Sequence, residues 1–277
     1  MSTFPDGVKD VAYGVDYTPL NPLKRSLSET NSLACCWFDI GVNSGPAHLI
    51  VSLNRWSSKS RGIAPLMSNR IHEYFIRMGM PSEEAWEKHL HYHKNFGLAI
   101  RGLQAHHPEF DPIDFNDRCD GALPLEDLLE EDKSLQTLLR DIDRSRVKVM
   151  ALTNAYKPHA LRVLKILGVS DLFDGVISCQ YPTPGFIAKP DRQYYQEAST
   201  SSHIFTAMQI CGIFEPSKHY FVDDATLNAK GAKAMGWHVW LYDEDGSANI
   251  DTGTLDGSIR SLEDLREHWR PFFSQKS

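Results

Sequence analysis

Short apolar runs recur along the chain, and most of them lead into polar or acidic residues. They lie at 33–40, 147–152, 175–179, 220–222 and 239–242. Runs of this kind are typical of strands buried on both faces, as in a parallel sheet. Between them, Leu161, Leu164 and Leu167 have helical spacing, and the alanine-rich stretch 225–235 stops at Gly236. This alternation predicts right-handed βαβ units and an α/β fold with a doubly wound parallel sheet.

Residues 63–142 interrupt the alternation with helical patterns alone. Leucine, methionine and aromatic residues recur there at helical spacing, and glutamates follow Ser82 as in the first turn of a helix. We therefore predict an all-helical cap at 63–142, inserted into an α/β core formed by 33–62 and 143–277. Residues 1–32 are rich in Pro, Ser, Thr and Asn without a period, which predicts a poorly ordered N-terminal segment.

The composition argues against several classes of protein. The net charge of −7 disfavours binding to a nucleic-acid polymer or an anionic membrane. No run approaches the ~20 apolar residues of a membrane span, and the first residues lack a secretory leader pattern. Five cysteines, an odd number without a CxxC motif, indicate reduced thiols. We expect a cytoplasmic or nuclear protein, and the sequence leaves its oligomeric state open.

Polar side chains stand where the predicted strands end, which is the edge at which open α/β sheets bind ligands. In chain order they are Asp39, Thr153, Asn154, Asp223 and Asp224, with Lys189 in a loop before the last two. A single Asp at a strand end is most often a helix cap or a solvated carboxylate. The combination of these types in this order points instead to shared chemistry.

The residue types match the needs of phosphoryl transfer. A carboxylate such as Asp39 can attack phosphorus and form an aspartyl phosphate. The hydroxyl of Thr153 and the amide of Asn154 can hold phosphoryl oxygens, and Lys189 can neutralise the charge that gathers there. These four residues are therefore the predicted catalytic group.

A hard cation such as Mg²⁺ would complete this chemistry, because it prefers oxygen ligands. Asp39 and Asp223 can supply carboxylate oxygens. Asp224 fits two roles equally well, a further metal ligand or the cap of the helix that follows.

The chain resembles the haloacid-dehalogenase superfamily of phosphatases, and within it the fungal pyrimidine 5′-nucleotidases and their lysophosphatidate-phosphatase-like relatives. The matching residues lie at 37–40, 152–155, 189–190 and 221–224. Further matches, which are more specific to the nucleotidases, lie at 95–103, 106–107, 123–127 and 167–174. The resemblance implies a Rossmann-like core with a helical cap, Mg²⁺ as cofactor, and hydrolysis of a small phosphate monoester. It implies a pyrimidine nucleoside 5′-monophosphate as substrate and an aspartyl phosphate on Asp39.

The same resemblance assigns further residues. The backbone carbonyl of Gly41 occupies the position of a metal ligand. Arg101 and His106 in the cap are candidate substrate-binding residues, and for Arg101 a structural ion pair is an equal alternative.

Position 41 departs from the family pattern. The family has a second Asp there, which protonates the leaving group and later activates water, whereas this chain has Gly41. Such a group contributes roughly 10²–10⁴-fold in rate. The alternative function is therefore a catalytically impaired pseudophosphatase that binds nucleotides or phosphorylated ligands.

The segment that follows also differs from the family. The family pattern resumes at 57–60, and we interpret 41–56 as a translated intron or a misassigned exon boundary. Residues 199–206 interrupt a predicted helix and receive the same interpretation. A third interpretation is that His48 or Asn43 replaces the missing proton donor.

Overall fold

One sheet forms the centre of the computed structural model, which describes residues 16–20, 33–40, 62–195, 206–246, 248 and 254–274. Its seven strands are β1 (Asp16–Pro19), β2 (Ala34–Phe38), β3 (Val147–Tyr156), β4 (Gly175–Cys179), β5 (His219–Asp223), β6 (His238–Tyr242) and β7 (Gly257–Ile259). The strand order is β1-β4-β3-β2-β5-β6-β7, and all neighbours are parallel except the antiparallel pair β1–β4. The predicted α/β class with a doubly wound parallel sheet is confirmed.

The order of the strands reverses between β2 and β5. After β2 the chain adds β3 and β4 on one side, and it then crosses back to add β5, β6 and β7 on the other. Open α/β sheets bind ligands at the carboxyl ends of strands at such a reversal. Asp39 follows β2 and Asp223 ends β5, so these two residues flank the crevice.

Helices fill the connections between strands. Between β2 and β3 lie α1 (Ile63–Arg77), α2 (Ser82–Phe96), α3 (Ala99–His106), α4 (Pro112–Arg118), α5 (Leu125–Leu128) and α6 (Lys133–Asp141). The later helices are α7 (Lys157–Ile166), α8 (Arg192–Tyr195), α9 (Ala207–Cys211), α10 (Thr226–Ala234) and α11 (Leu265–His268). In the described part of the chain, no helix combines the length and the apolar character needed to cross a bilayer.

The helices that follow β2 divide into two groups by their contacts. Helices α1 to α4 pack on one another, whereas α6 packs against the 3₁₀ turns Ser170–Leu172 and Leu262–Asp264 near the sheet. We therefore propose that the cap ends before α6 and that the predicted boundary at 142 includes one helix of the core. The sequence shows that α6 is amphipathic but not which surface its apolar face covers.

Strand β2 is buried on both faces. The Trp37 ring stacks on Trp237 with centroids 5.6 Å apart, and on the opposite face Phe38 packs edge-on against Trp269 at 5.5 Å. Parallel neighbours on either side complete its hydrogen bonding. The strand that leads to Asp39 is thus fixed in every direction.

Two short edge strands were not expected. The prediction of a poorly ordered segment over 1–32 is wrong for Asp16–Pro19, which pairs with β4 as β1. At four residues with a terminal proline, β1 carries too little pattern to be read from sequence. The three-residue β7 was missed for the same reason.

Several expectations concern residues outside the described part of the chain. Gly41 and the segment 41–56 lie there, as does 199–206 except for Thr206. Thr206 is the N-cap of α9, where its Oγ1 accepts a hydrogen bond from the Gln209 amide at 3.3 Å.

Candidate active site

Asp39 stands at the carboxyl end of β2, in the middle of the sheet. Its backbone N–H donates to the Val222 carbonyl of β5 at 3.3 Å, which extends the pairing of the two strands by one step. The residue is 2% exposed. Its Oδ1 accepts a hydrogen bond from the Lys189 ammonium at 2.6 Å.

The ammonium group of Lys189 connects three elements. Its Nζ donates to Asp39 Oδ1, to Asp223 Oδ2 at 2.7 Å and to the Leu152 carbonyl at 2.8 Å. An ammonium has three hydrogens, so these bonds use all of them. Burial alone would lower the pKa of Lys189, but the Asp223 and Asp39 carboxylates outweigh it and raise that pKa. Lys189 therefore remains a cation inside the protein.

Asp223 is held by several donors at once. Its Oδ1 accepts from the Ala225 amide at 2.7 Å, and Asn228 Nδ2 donates to its Oδ2 at 3.1 Å. Burial raises the pKa of Asp223 to about 6, against the opposing pull of Lys189. Asp223 is thus the carboxylate partner of the lysine.

The neighbouring carboxylate, that of Asp224, differs from Asp223 in its hydrogen bonding. It is 6% exposed, and neither of its oxygens accepts a hydrogen bond from any other described residue. Burial, followed by the Asp223 and Asp39 charges, raises its pKa well above the usual range. Helix α10 has Ala225 at its N-cap without a side-chain bond, so Asp224 does not cap this helix.

The three carboxylates fit a divalent cation. Oxygen atoms of Asp39, Asp223 and Asp224 lie within 4.8 Å of one another. Because both Asp223 oxygens already accept hydrogen bonds, Asp39 and Asp224 are the residues that would hold the ion. An all-oxygen set of this kind suits a hard cation. Gly41, the predicted carbonyl ligand, lies outside the described residues.

Thr153 and Asn154 lie in an irregular part of β3. The pairing of β3 with β4 shifts register between Leu152 and Tyr156. Irregularities of this type redirect side chains and are common beside active sites. They explain how consecutive residues of one strand can both face the crevice region.

The two side chains serve different partners. Thr153 Oγ1 donates to the Ile40 carbonyl and accepts from the Ala155 amide at 3.0 Å. Asn154 binds the backbone of Lys189 twice, through Nδ2 to the carbonyl at 2.9 Å and through Oδ1 from the amide at 2.7 Å. The Asn154 side chain therefore holds the lysine loop.

Three supporting residues escaped the sequence reasoning. Asn228 binds Asp223, Tyr194 Oη donates to the Thr153 carbonyl at 2.5 Å, and Asp191 contacts the loop of Lys189. Asn228 lies one helical turn after the acidic pair, which is a usable signal. Asp191 directly follows Lys189-Pro190, whereas nothing in the sequence distinguishes Tyr194.

A cavity of about 410 Å³ lies between α3 and the loop 182–185. Its lining combines aromatic rings with polar groups, including Phe96, Arg101, Gln104, His107 and Phe110. Gln104 Nε2 donates to the Tyr181 carbonyl at 2.6 Å, while its buried Oε1 has no hydrogen-bond partner among the described residues. The cavity is thus lined by aromatic and polar side chains together.

The structure separates the two predicted cap residues. Arg101 lines the cavity and is paired with Asp191, with Nη2 2.9 Å from Oδ2. His106 is exposed and stacks on Tyr92 with centroids 5.4 Å apart. Its neighbour His107 is the histidine at the cavity. Adjacent histidines at a helix end could not be told apart from the sequence.

A sequence profile of haloacid dehalogenase-like hydrolases matches residues 57–236, which is well over half of the 277 residues. The chain belongs to the haloacid dehalogenase-like hydrolases. This confirms the resemblance at the level of the superfamily. The match begins at 57, where the sequence resumes the pattern of the family.

The chain is also similar to one yeast protein. It is 33% identical over 196 residues, 68% of the chain, to Phosphate metabolism protein 8 of Saccharomyces cerevisiae. The matched region spans 58% of the length of that yeast protein.

Solved structures resemble the fold at low sequence identity. The magnesium-bound structure described as HAD-hydrolase YfnB of Bacillus subtilis superposes with a TM-score of 0.50 at 14% identity, over 86% of this chain and 99% of that chain. A HAD phosphatase from Thermococcus onnurineus gives a TM-score of 0.49 at 20% identity, over 87% and 100% of the respective chains. At 14% identity the likeness to YfnB concerns the fold alone.

Proposed function

We propose that this hydrolase removes phosphate from nucleoside 5′-monophosphates, with pyrimidine nucleotides as preferred substrates. The observation that carries the proposal is the position of Lys189 between Asp39 and Asp223. Beside them lies the carboxylate of Asp224, which accepts no hydrogen bond from any other described residue. One crevice thus combines a carboxylate nucleophile, a fixed cation and oxygen ligands. Phosphoryl transfer needs these three components together.

In the proposed reaction, a carboxylate oxygen of Asp39 attacks phosphorus while the bond to the leaving oxygen breaks. An aspartyl phosphate and an alkoxide result, and the alkoxide takes up a proton from water. Water then attacks the phosphorus, releases inorganic phosphate and regenerates the Asp39 carboxylate. Lys189 offsets the charge at Asp39, while the Thr153 hydroxyl and the Asn154 backbone N–H bind phosphoryl oxygens.

Mg²⁺ is the proposed cofactor, because the donor set of Asp39 and Asp224 consists of carboxylate oxygens. When bound, the ion would neutralise phosphate charge. In this proposal Asp223 binds Lys189, whereas its neighbour Asp224 binds the cation.

The cavity beside α3 supports a nucleoside as the leaving group. Its volume of about 410 Å³ falls in the usual range for small-molecule sites. Phe96 and Phe110 offer apolar contacts for a planar ring, and Gln104 adds a polar side chain to the lining. The similarity to pyrimidine 5′-nucleotidases in this part of the sequence favours the same substrate class.

A second function, ligand binding without turnover, is favoured by one observation. Gly41 stands where the family has its general acid and base. A protein that lacks this group can keep phosphate binding through Lys189 and Thr153 while hydrolysis slows severely. The two functions share their binding residues and differ in turnover.

Phosphate release from UMP, CMP, AMP and lysophosphatidate, measured with Mg²⁺, tests both functions. We expect turnover of the pyrimidine nucleotides that Asp39→Asn abolishes and that Glu87→Gln, a change at an exposed carboxylate of α2, leaves intact. Calorimetric binding of UMP without any turnover would favour the second function. Neither binding nor turnover by folded protein would reject both.

The cysteines support a reducing location. All five carry free thiols in buried positions. Because thiols of secreted proteins are usually oxidised, we propose that the hydrolase is cytosolic or nuclear, which fluorescence microscopy of a tagged chain can test.

A further inference from the structure

We infer that the ion pair between Arg101 and Asp191 positions the loop that carries Lys189, and so couples the lysine to the cap. Arg101 lies on α3, and Asp191 follows Lys189 by two residues. Two parallel contacts join them, with Nη2 2.9 Å from Oδ2 and Nη1 3.4 Å from Oδ1. Such a fork fixes direction as well as distance.

On the core side, Asp191 closes the turn around Lys189. Its backbone N–H donates to the Ala188 carbonyl at 2.8 Å, and its Oδ2 accepts from the Ala188 amide at 3.3 Å. Asn154 holds the Lys189 backbone from the opposite side. The carboxylate of Asp191 is therefore shared between the turn and Arg101.

On the cap side, the junction of α2 and α3 rests against the same loop. Arg101 Nη1 donates to the Phe96 carbonyl at 3.1 Å, at the end of α2. Gly97 follows with φ of +78°, and a Cβ built there would lie 3.9 Å from the Lys189 carbonyl oxygen. The guanidinium thus ties the end of α2 to the turn that presents the catalytic lysine.

This geometry favours a positioning role for Arg101 over a direct contact with substrate. Its guanidinium is already committed to Asp191 and Phe96. Asp191 carries a negative charge and would repel a nucleotide phosphate, so a loss of function on its removal would not come from a lost substrate contact. The inference rests on the proposed function for its kinetic readout only.

Amine labelling of Lys189 gives a test that needs no activity. The full chain is treated with sulfo-N-hydroxysuccinimide acetate, and acetylation of Lys189 is followed by peptide mass spectrometry. Lys189 is 1% exposed, so its labelling should be slow. We expect Asp191→Asn and Arg101→Gln each to speed it about tenfold, the double variant to add little, and Arg101→Lys to fall between.

Glu126→Gln is the matched control. It weakens another ion pair between the helical insertion and the core, in which Arg162 Nε lies 2.8 Å from Glu126 Oε1, without touching the lysine loop. Labelling that stays at the wild-type rate in both Asp191→Asn and Arg101→Gln would overturn the inference. An equal acceleration in Glu126→Gln would also overturn it, because general loosening of the cap would then be the cause.

Kinetics separate positioning from substrate contact. We expect Asp191→Asn and Arg101→Gln to lower kcat about tenfold for both UMP and p-nitrophenyl phosphate, with KM changed less than threefold. A rise of KM for UMP alone would overturn the positioning role. If the wild-type chain hydrolyses neither ester but the labelling pattern holds, the proposed function fails and the inference stands.

Discussion

Asp223 and Asp224 are consecutive residues at one strand end, yet Asp223 accepts hydrogen bonds on both carboxylate oxygens and Asp224 accepts none from any other described residue. Asp223 is the last residue of β5 and Asp224 follows the strand, and oxygen atoms of the two carboxylates lie within 4.8 Å of each other. Lys189 and Asn228 hold the first carboxylate, and the second remains available for a cation.

Replacing Asp223 and replacing Asp224 should have different effects on the free energy of unfolding. Asp224→Asn replaces a buried carboxyl group that accepts no hydrogen bond from any other described residue, so the free energy of unfolding in EDTA should change little or rise. Asp223→Asn leaves Lys189 with one carboxylate fewer and should cost about 3 kcal/mol or more. Urea unfolding of both variants measures this.

The response to Mg²⁺ completes that comparison. A ligand at a hundred times its Kd stabilises a protein by about 2.7 kcal/mol. Wild type should show such a gain with Mg²⁺, and Asp224→Asn should not. An undiminished gain in Asp224→Asn would show that Asp224 is not a ligand.

Removal of the buried cation should destabilise the fold. Lys189→Met leaves the Asp39 and Asp223 carboxylates buried without their shared partner, and we expect a loss of about 3–5 kcal/mol. Adding Asp223→Asn should recover part of it, since one of the two stranded charges is then gone. Urea unfolding checks both variants, and a double variant less stable than Lys189→Met would contradict the pairing.

Stability should fall in mild acid because of His219. Its Nδ1 accepts from Trp37 Nε1 at 2.9 Å and its Nε2 donates to the Ile213 carbonyl at 3.0 Å, which requires the neutral ring. Burial lowers the pKa of His219 to about 4, whereas an unfolded histidine titrates near 6.5. Between these values the unfolded state binds one more proton, so stability decreases by about 1.4 kcal/mol per pH unit as pH falls.

His219→Gln should reduce the dependence of stability on pH by about 1.4 kcal/mol per pH unit, which corresponds to one proton. Urea unfolding at several pH values between 4 and 7 measures this dependence. His159, whose pKa burial also lowers to about 4, contributes separately in the same window. The exposed His91 is the control, and His91→Gln should leave the slope unchanged. A slope that His219→Gln does not alter would refute the assignment.

Restoring an acid at position 41 should raise the rate. With Gly41→Asp, leaving-group protonation regains a carboxyl group, and we expect kcat for UMP to rise about 100-fold. The affinity for vanadate, a phosphate analogue, should change little. A well-folded variant without any gain in kcat would argue against position 41 as the site of the missing acid.

The contact between α2 and α3 leaves no space for a side chain at Gly102. A Cβ there would lie 2.2 Å from Tyr92 Cγ. Gly102→Ala should cost about 1–3 kcal/mol through overpacking. Gly62→Ala is the control, because nothing lies within 4 Å of its Cβ position, and thermal unfolding of both variants should separate them clearly.

The sequence was sufficient for the five parallel strands β2 to β6 and for the residues at their ends, because buried strands and strand-end carboxylates leave a local pattern. It could not assign Asp223 and Asp224, since their roles depend on where Lys189 and Asn228 come to lie. It also could not distinguish His107 from His106, or show that α6 packs against the 3₁₀ turns beside the sheet. These features depend on contacts between segments distant in sequence.

In the proposed function, the nucleophile Asp39 and the surface that selects the substrate lie on different parts of the fold. Strand β2 is enclosed on every side, whereas α3 and the loop 182–185 lie outside the sheet and meet at the cavity. Substitutions at cavity-lining positions of those outer segments other than Arg101 can alter which ester enters without displacing the groups that break the bond. A protein with this layout can change its substrate specificity during evolution through a few substitutions, while its catalytic mechanism stays the same.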